Sequence, residues 1–179
     1  MKKTSVQSTG KNSIIKMNIC QAIEILERAI EDPRNGLPEE IFLFITRVVP
    51  MVNIDLLIKD EKNRTLLAWR DDPYSGRGWH VPGGIIRYKE KLIERVEKVA
   101  QIEIGTPVKF DPEPVAINEI ILSQRTRGHF ISFLYRGFVP SSFVPANTGL
   151  KENDNGYLQW HSFCPEDLIR VHEIYRKFI

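Results

Sequence analysis

The chain has 179 residues, 42% of them hydrophobic and 27% charged, enough for one sizeable core with a short appendage and too few for two large independent domains. Lysine and arginine total 25 against 23 aspartates and glutamates, so the formal charge of +2 lacks the basic excess that phosphate neutralisation on a nucleic acid requires. Apolar runs such as 41–45 and 120–122 fall far short of the roughly 20 residues of a spanning helix, and residues 1–13 contain no apolar signal core. A soluble, cytoplasmic protein with no nucleic-acid or membrane partner is expected. Cys20 and Cys164 stand far apart without CxxC spacing or a flanking histidine cluster, which fits reduced thiols better than zinc or a disulfide scaffold.

Residues 1–13, rich in Lys, Ser and Thr, can bury little and read as disordered or tag-like. A first helix is expected over 17–30, where Ile19, Ala22, Ile23, Leu26 and Ile30 recur at three- and four-residue spacing until Asp32-Pro33 stops it. Leu37-Pro38-Glu39-Glu40 opens a second helix, with proline suited to the first turn and two acids at the positive end of the dipole. Ile41, Phe42, Ile45, Val48 and Val49 give it apolar surface. Together these helices make an N-terminal arm, 14–49, of a kind that mediates dimerisation, and a homodimer is expected.

From Met51 the pattern turns to short β-rich runs, expected over 51–59, 65–70 and 79–87, with turns at Asp60-Glu61-Lys62-Asn63 and at 71–76. A helix over 90–104 follows, free of Gly and Pro and ended by Gly105 as a C-cap. Further strands are expected at 108–110 leading into 115–123, at 129–138 and at 157–163. A last helix opens at Pro165-Glu166-Asp167, with Leu168, Val171, Ile174, Tyr175 and Phe178 as its apolar positions. Strands and single helices alternate without a regular βαβ rhythm, which predicts an α/β (α+β) fold with a mixed sheet and helices on both faces.

Trp79-His80-Val81-Pro82-Gly83-Gly84 is the most informative segment. Proline and paired glycines at a strand end do not strengthen the strand, so they serve either a β-bulge or a loop that a ligand approaches closely. Gly84, five residues, Glu90, seven residues, Lys98, and the helix end Glu103-Ile104-Gly105 resemble the Nudix box, Gly-x5-Glu-x7-Arg-Glu-apolar-x-Glu-Glu-x-Gly. The resemblance extends over residues 50–179 and implies an α/β/α sandwich. It also implies structural roles for Gly84, Glu90, Lys98 and Gly105, with Glu90 bracing the loop.

The departures narrow the resemblance. Lys98 stands where the family has Arg, and of the three helix carboxylates Val99 and Ile102 replace two, leaving Glu103. The depleted box is similar to the GDP-mannose mannosyl hydrolase branch, whose members cut a nucleotide sugar at the sugar carbon. That likeness implies one Mg²⁺, or Mn²⁺, held by Glu103, the Gly83 carbonyl and a side chain of loop 151–156. Asp154 is the expected third ligand and the expected water-activating residue, since Asn155 cannot accept a proton. His129, His161 and His172 are the other bases in view.

The mannosyl-hydrolase likeness implies that Arg70, otherwise a surface arginine paired with Asp71 or Asp72, contacts the nucleotide's phosphates as a catalytic and binding residue. Arg87, Arg125 and Arg127 are further expected substrate contacts, the basic loop 125–129 being either a phosphate lid or a solvated hairpin turn. A Mg²⁺-dependent hydrolase of a nucleoside diphosphate sugar, or of a related nucleoside diphosphate derivative, is one functional expectation. A catalytically impaired Nudix-fold module that senses a nucleotide or sugar phosphate is the other.

Overall fold

In the computed structural model the described residues are 9–179, with side chains from residue 18. Helix α1 (Thr9–Ala29) begins well before the apolar spacing indicates, so residues 9–13 of the stretch 1–13 read as disordered or tag-like are part of α1, while residues 1–8 lie outside the described residues. Helix α2 (Glu39–Ile45) starts where its signals lie, with Pro38 at the N-cap and both acids in the first turn. No helix among the described residues is long and apolar enough to cross a membrane.

Eight strands form one mixed sheet: β1 (Met51–Lys59), β2 (Thr65–Asp72), β3 (Gly76–His80), β4 (Gly83–Ile85), β5 (Lys109–Phe110), β6 (Ala116–Ile121), β7 (His129–Phe138) and β8 (Leu158–His161). β1 runs parallel to β7 along its whole length, from Met51↔Phe130 to Lys59↔Phe138, and the other pairings are antiparallel. This central parallel pair explains the near-continuous apolar run in β1, since both of its faces are covered.

On one face Ile54, Leu56 and Ile58 meet Val96 and Val99 of α3 (Leu92–Val99) together with Ala100 and Ile104. On the other face Leu57 packs with Trp79, Leu134 and Tyr175. Strand alternation therefore puts Asp55 on the same face as Leu57 and Tyr175.

Three expectations about element limits change, each for a physical reason. The strand expected over 79–87 is divided, because β3 pairs with β2 while β4 pairs with β1, and the chain crosses between them at Val81-Pro82. Pro82 has no N–H to donate, but its carbonyl accepts the Leu56 N–H at 2.8 Å. The helix expected from residue 90 begins at Leu92 and ends in a π-helical turn, Ala100–Ile104, closed by the Gly105 N–H on the Ala100 carbonyl; Gly105 takes φ of 78° as the C-cap.

The last helix starts at Arg170, not Pro165, because Trp79 and the segment 167–169 exchange backbone hydrogen bonds of 2.9 Å. It is a 3₁₀ helix with three residues per turn, so Ile169, His172 and Tyr175 fall on one buried line while Ile174 is exposed.

β1 and β2 share only the pairs Ile58↔Leu66 and Lys59↔Thr65 before they part. β4 then continues beside β1, and β3 and β8 beside β2. The sheet is thereby split, and the split opens the cleft described next.

Candidate active site

Gly83 lies opposite Asp55, between ladder bonds at Leu56–Pro82 and Val52–Ile86. It thus occupies a non-hydrogen-bonded position, with its N–H and C=O turned away from β1. A side chain at Gly83 would begin 2.3 Å from Asp55 Oδ1 and 2.6 Å from the Ile54 carbonyl, so only glycine fits beside that carboxylate. The Gly83 N–H faces the Glu103 carboxylate, which the π-helical turn brings to the open side of β4.

Burial pushes the Glu103 carboxyl up from its ordinary range; Arg70 opposes this, Asp55 adds to it, and the Gly83 N–H opposes it. Among the described residues Glu103 has no ion-pair partner within 4 Å. Asp55 and Glu103, two like charges beside the Gly83 backbone, offer hard oxygen donors of the kind a divalent cation suits. Among the described residues no three His, Cys, Asp or Glu side chains are grouped closely enough to enclose a metal by themselves. Mg²⁺ needs no such cage, because it is commonly held by one or two carboxylates with water and substrate phosphate completing its shell.

Asp55 anchors a buried network that sequence reasoning missed. Its Oδ2 accepts from Ser132 Oγ and, at 2.6 Å, from the Tyr175 hydroxyl, and Oδ1 accepts from Asn53 Nδ2 at 2.7 Å. The Tyr175 phenol is pushed up by burial and by Asp55, so it stays a donor. His172 Nδ1 accepts the Val81 N–H at 3.0 Å, which leaves the proton on Nε2, 4.0 Å from Asp55 Oδ1. Burial holds His172 at about 4, against the pull of Asp55, so it is neutral and fixed.

His80, one of the most buried polar residues, is the other omission. Its Nδ1 lies 2.7 Å from the Ala68 carbonyl and donates to it, so Nε2 carries a lone pair, and that atom is buried without a partner. Burial, then Arg70 and His172, hold His80 well below the ordinary histidine range. A neutral imidazole with a free acceptor is what results.

Two cavities meet at His80. One, of about 440 Å³, has Asn53, Asp55, Ser132 and His172 in its lining, with Leu37, Glu39 and Phe42 of the arm also on its wall. The other, of about 630 Å³, is lined by Glu103, Ile102 and Asn155 among others. Arg70, His80 and Arg127 line both.

The expected site residues separate accordingly. Arg70, Arg127, Gly83 and Glu103 come together at the cleft. Arg87 lines the first cavity, its guanidinium against Gly36 of the arm. Arg125 does not reach it; it is exposed and lines a different depression with Arg47 and His129. Asp154 is also outside both cavities, an exposed carboxylate accepting the Lys151 N–H at 2.7 Å. The reason is local: this bond closes a turn, and the neighbouring Asn155 pins the loop by bonding both the N–H (2.5 Å) and C=O (3.0 Å) of Asp71.

His129 pairs with Glu119 at 3.4 Å, and His161 packs edge-on against Trp79. Gly84 backs onto α3, where an added side chain would meet Val99 at 3.2 Å. Glu90 is an ion-pair hub: its carboxylate is 2.6 Å from Arg95 and 2.8 Å from Lys98, and it accepts the Arg87 N–H at 2.9 Å. It ties the glycine loop to α3.

No family model matches the chain. A segment of 81 residues, 45% of the chain, is 31% identical to the low-salt glycan biosynthesis protein Agl8 of Haloferax volcanii, and the match spans about half, 51%, of that relative's length. Among solved structures, the MutT Nudix hydrolase of Burkholderia pseudomallei aligns with a TM-score of 0.56 and 18% identity over 73% of this chain and 98% of its own. The MutT protein of Methanosarcina mazei aligns with a TM-score of 0.55 and 20% identity over 73% and 91%. The split mixed sheet, with the box helix on one face and the 3₁₀ helix on the other, is the Nudix fold.

Proposed function

We propose that this chain is a Mg²⁺-dependent hydrolase of a nucleoside diphosphate sugar or a related nucleoside diphosphate derivative. The observation that carries the reading is the convergence of Glu103, Asp55 and the Gly83 backbone with Arg70 and Arg127 on one cleft. Glu103 and the Gly83 carbonyl would hold the cation, which when bound draws negative charge from the leaving diphosphate. Arg70 and Arg127 clamp that diphosphate. His80, which lines both cavities, is the base this reading assigns to the attacking water, the role expected of Asp154 from the sequence. The Nudix fold and the name of the glycan-biosynthesis relative support a nucleotide-sugar substrate.

With a single helix carboxylate, water attack falls on the sugar carbon and releases nucleoside diphosphate and free sugar. Turnover in ¹⁸O-labelled water tests this: label is expected in the sugar, and label in a phosphate would mean attack at phosphorus. A chain that binds nucleoside diphosphates in Mg²⁺ and turns over no GDP-, ADP- or UDP-sugar is instead a sensor. The homodimer is proposed through the arm, on the support of Ile19, Ile23 and Ile25, which are exposed on α1. A cytoplasmic setting is proposed with it, since both cysteines are free.

A further inference from the structure

Arg127 stands in an unusual setting. It is a non-glycine residue at φ of 53°, in the loop between β6 and β7, and a left-handed backbone at such a residue persists only where its surroundings enforce it. Two groups of the arm help to do so. The Arg127 N–H donates to Thr46 Oγ1 at 3.2 Å, and that hydroxyl is itself oriented by donating to the Leu43 carbonyl at 2.9 Å. Thr46 is buried. The guanidinium lies between two rings, 5.9 Å from the centroid of Phe42 on α2 and 5.3 Å from that of Tyr74.

What the guanidinium lacks is an anion. Among the described residues Arg127 forms no ion pair within 4 Å, and its Nε is buried without a partner. Asp72, the carboxylate whose charge acts on Arg127, is already engaged by the Tyr74 and Ser75 N–H groups and lies 3.6 Å from Arg70 Nε. Burial and the proximity of Arg70 both lower the affinity of Arg127 for its proton, and Asp72 only partly offsets them. A costly, half-buried cation held open toward three cavities is a receptor for a negative group.

We infer that the N-terminal arm is a working part of the binding site: Phe42 and Thr46 are positioning residues that hold Arg127 against the diphosphate of the ligand. The inference rests on the nucleoside-diphosphate reading above and assigns the arm a role separate from dimerisation. Leu37, Glu39 and Phe42 on the cavity wall, and Arg87 seated against Gly36, make the arm continuous with the site.

Titration calorimetry of the full chain with GDP, ADP and pyrophosphate in Mg²⁺ tests it. Arg127→Gln is expected to weaken pyrophosphate about tenfold or more, and Thr46→Val and Phe42→Leu each by about threefold to tenfold. In the Arg127→Gln background the two arm substitutions should change affinity no further, and Thr46→Ser, which keeps the hydroxyl, should bind as the parent does. Arg125→Gln, in the same loop but outside the cavities, is the unaffected control. Equal losses from the arm substitutions with and without Arg127 would overturn the inference, as would unweakened pyrophosphate binding in Arg127→Gln. A parent chain that binds pyrophosphate with this coupling but neither nucleotide keeps the arm's role and removes the nucleoside reading; one that binds none of the three removes both.

Discussion

Replacing Glu90 by glutamine removes the charge that ties the glycine loop to α3. Its side chain is only 4% exposed and meets Arg95, Lys98 and the Arg87 N–H. Burial alone would raise its carboxyl, but Lys98, the Arg87 N–H and Arg95 outweigh burial and hold it at about 2, against an ordinary 4.5. A folded-state value below the unfolded one means stability that is fully present above about pH 4.5 and is lost as the pH falls through about 2.

That separation corresponds to about 3 kcal/mol at neutral pH, falling to about 1 kcal/mol at pH 3. The same interaction viewed from its partner agrees: glutamine leaves the Arg95 guanidinium, 9% exposed, without its anion, and breaking a buried pair costs about 3 kcal/mol, a figure that overlaps the first and does not add to it. Urea unfolding of parent and Glu90→Gln at pH 7 and pH 3 measures both quantities, since every other titrating group is common to the two chains. A gap of about 3 kcal/mol that shrinks on acidification is expected. A gap below about 1 kcal/mol at pH 7, or one unchanged at pH 3, would refute the brace.

Three further outcomes follow from the site. Glu103→Gln should weaken Mg²⁺ about tenfold or more in calorimetry, and unchanged affinity would remove Glu103 from the cation site. His80→Asn keeps a donor for the Ala68 carbonyl but lacks the Nε2 acceptor, so turnover should fall about 100-fold with little change in melting temperature; retained turnover would rule out His80 as the proton acceptor. Deleting residues 1–35 removes α1 and leaves α2, so light scattering should find monomers, and a dimer of undiminished stability would exclude α1 from the interface.

The fold was legible where local pattern and tertiary role agree. β1 and β7 have the limits expected from sequence because each run is bounded by turn residues and buried as a parallel pair. The C-terminal segment was misread because its apolar residues Val171, Ile174, Tyr175 and Phe178 fit a period of 3.6, whereas the chain coils there with a period of three. That difference carried functional weight, since the tighter coil aligns His172 and Tyr175 over Asp55. At 3.6 residues per turn Val171 and Ile174 would have seemed the inward pair, yet Ile174 is exposed.

The site was legible only as far as its chemistry was contiguous in the chain. Gly83, Glu90 and Glu103 sit in one segment with fixed spacing, and Glu90 pairs there with Arg95 and Lys98 of α3. Asp55 left one usable trace, a charge inside the strand run Ile54 to Ile58, where an unpaired carboxylate is too costly to lack partners. Those partners, Ser132 and Tyr175, are 77 and 120 residues away, beyond any local pattern. Arg127 shows the limit most clearly. Loop 125–129 reads as a basic stretch in which Arg125 and Arg127 are equivalent, but only Arg127 has the left-handed backbone and the Thr46 bond that turn it inward. Which arginine turns toward the cleft is therefore tied to Thr46, the C-cap of α2 about 80 residues earlier in the chain, and an isolated domain from residue 50 would lack that hydroxyl.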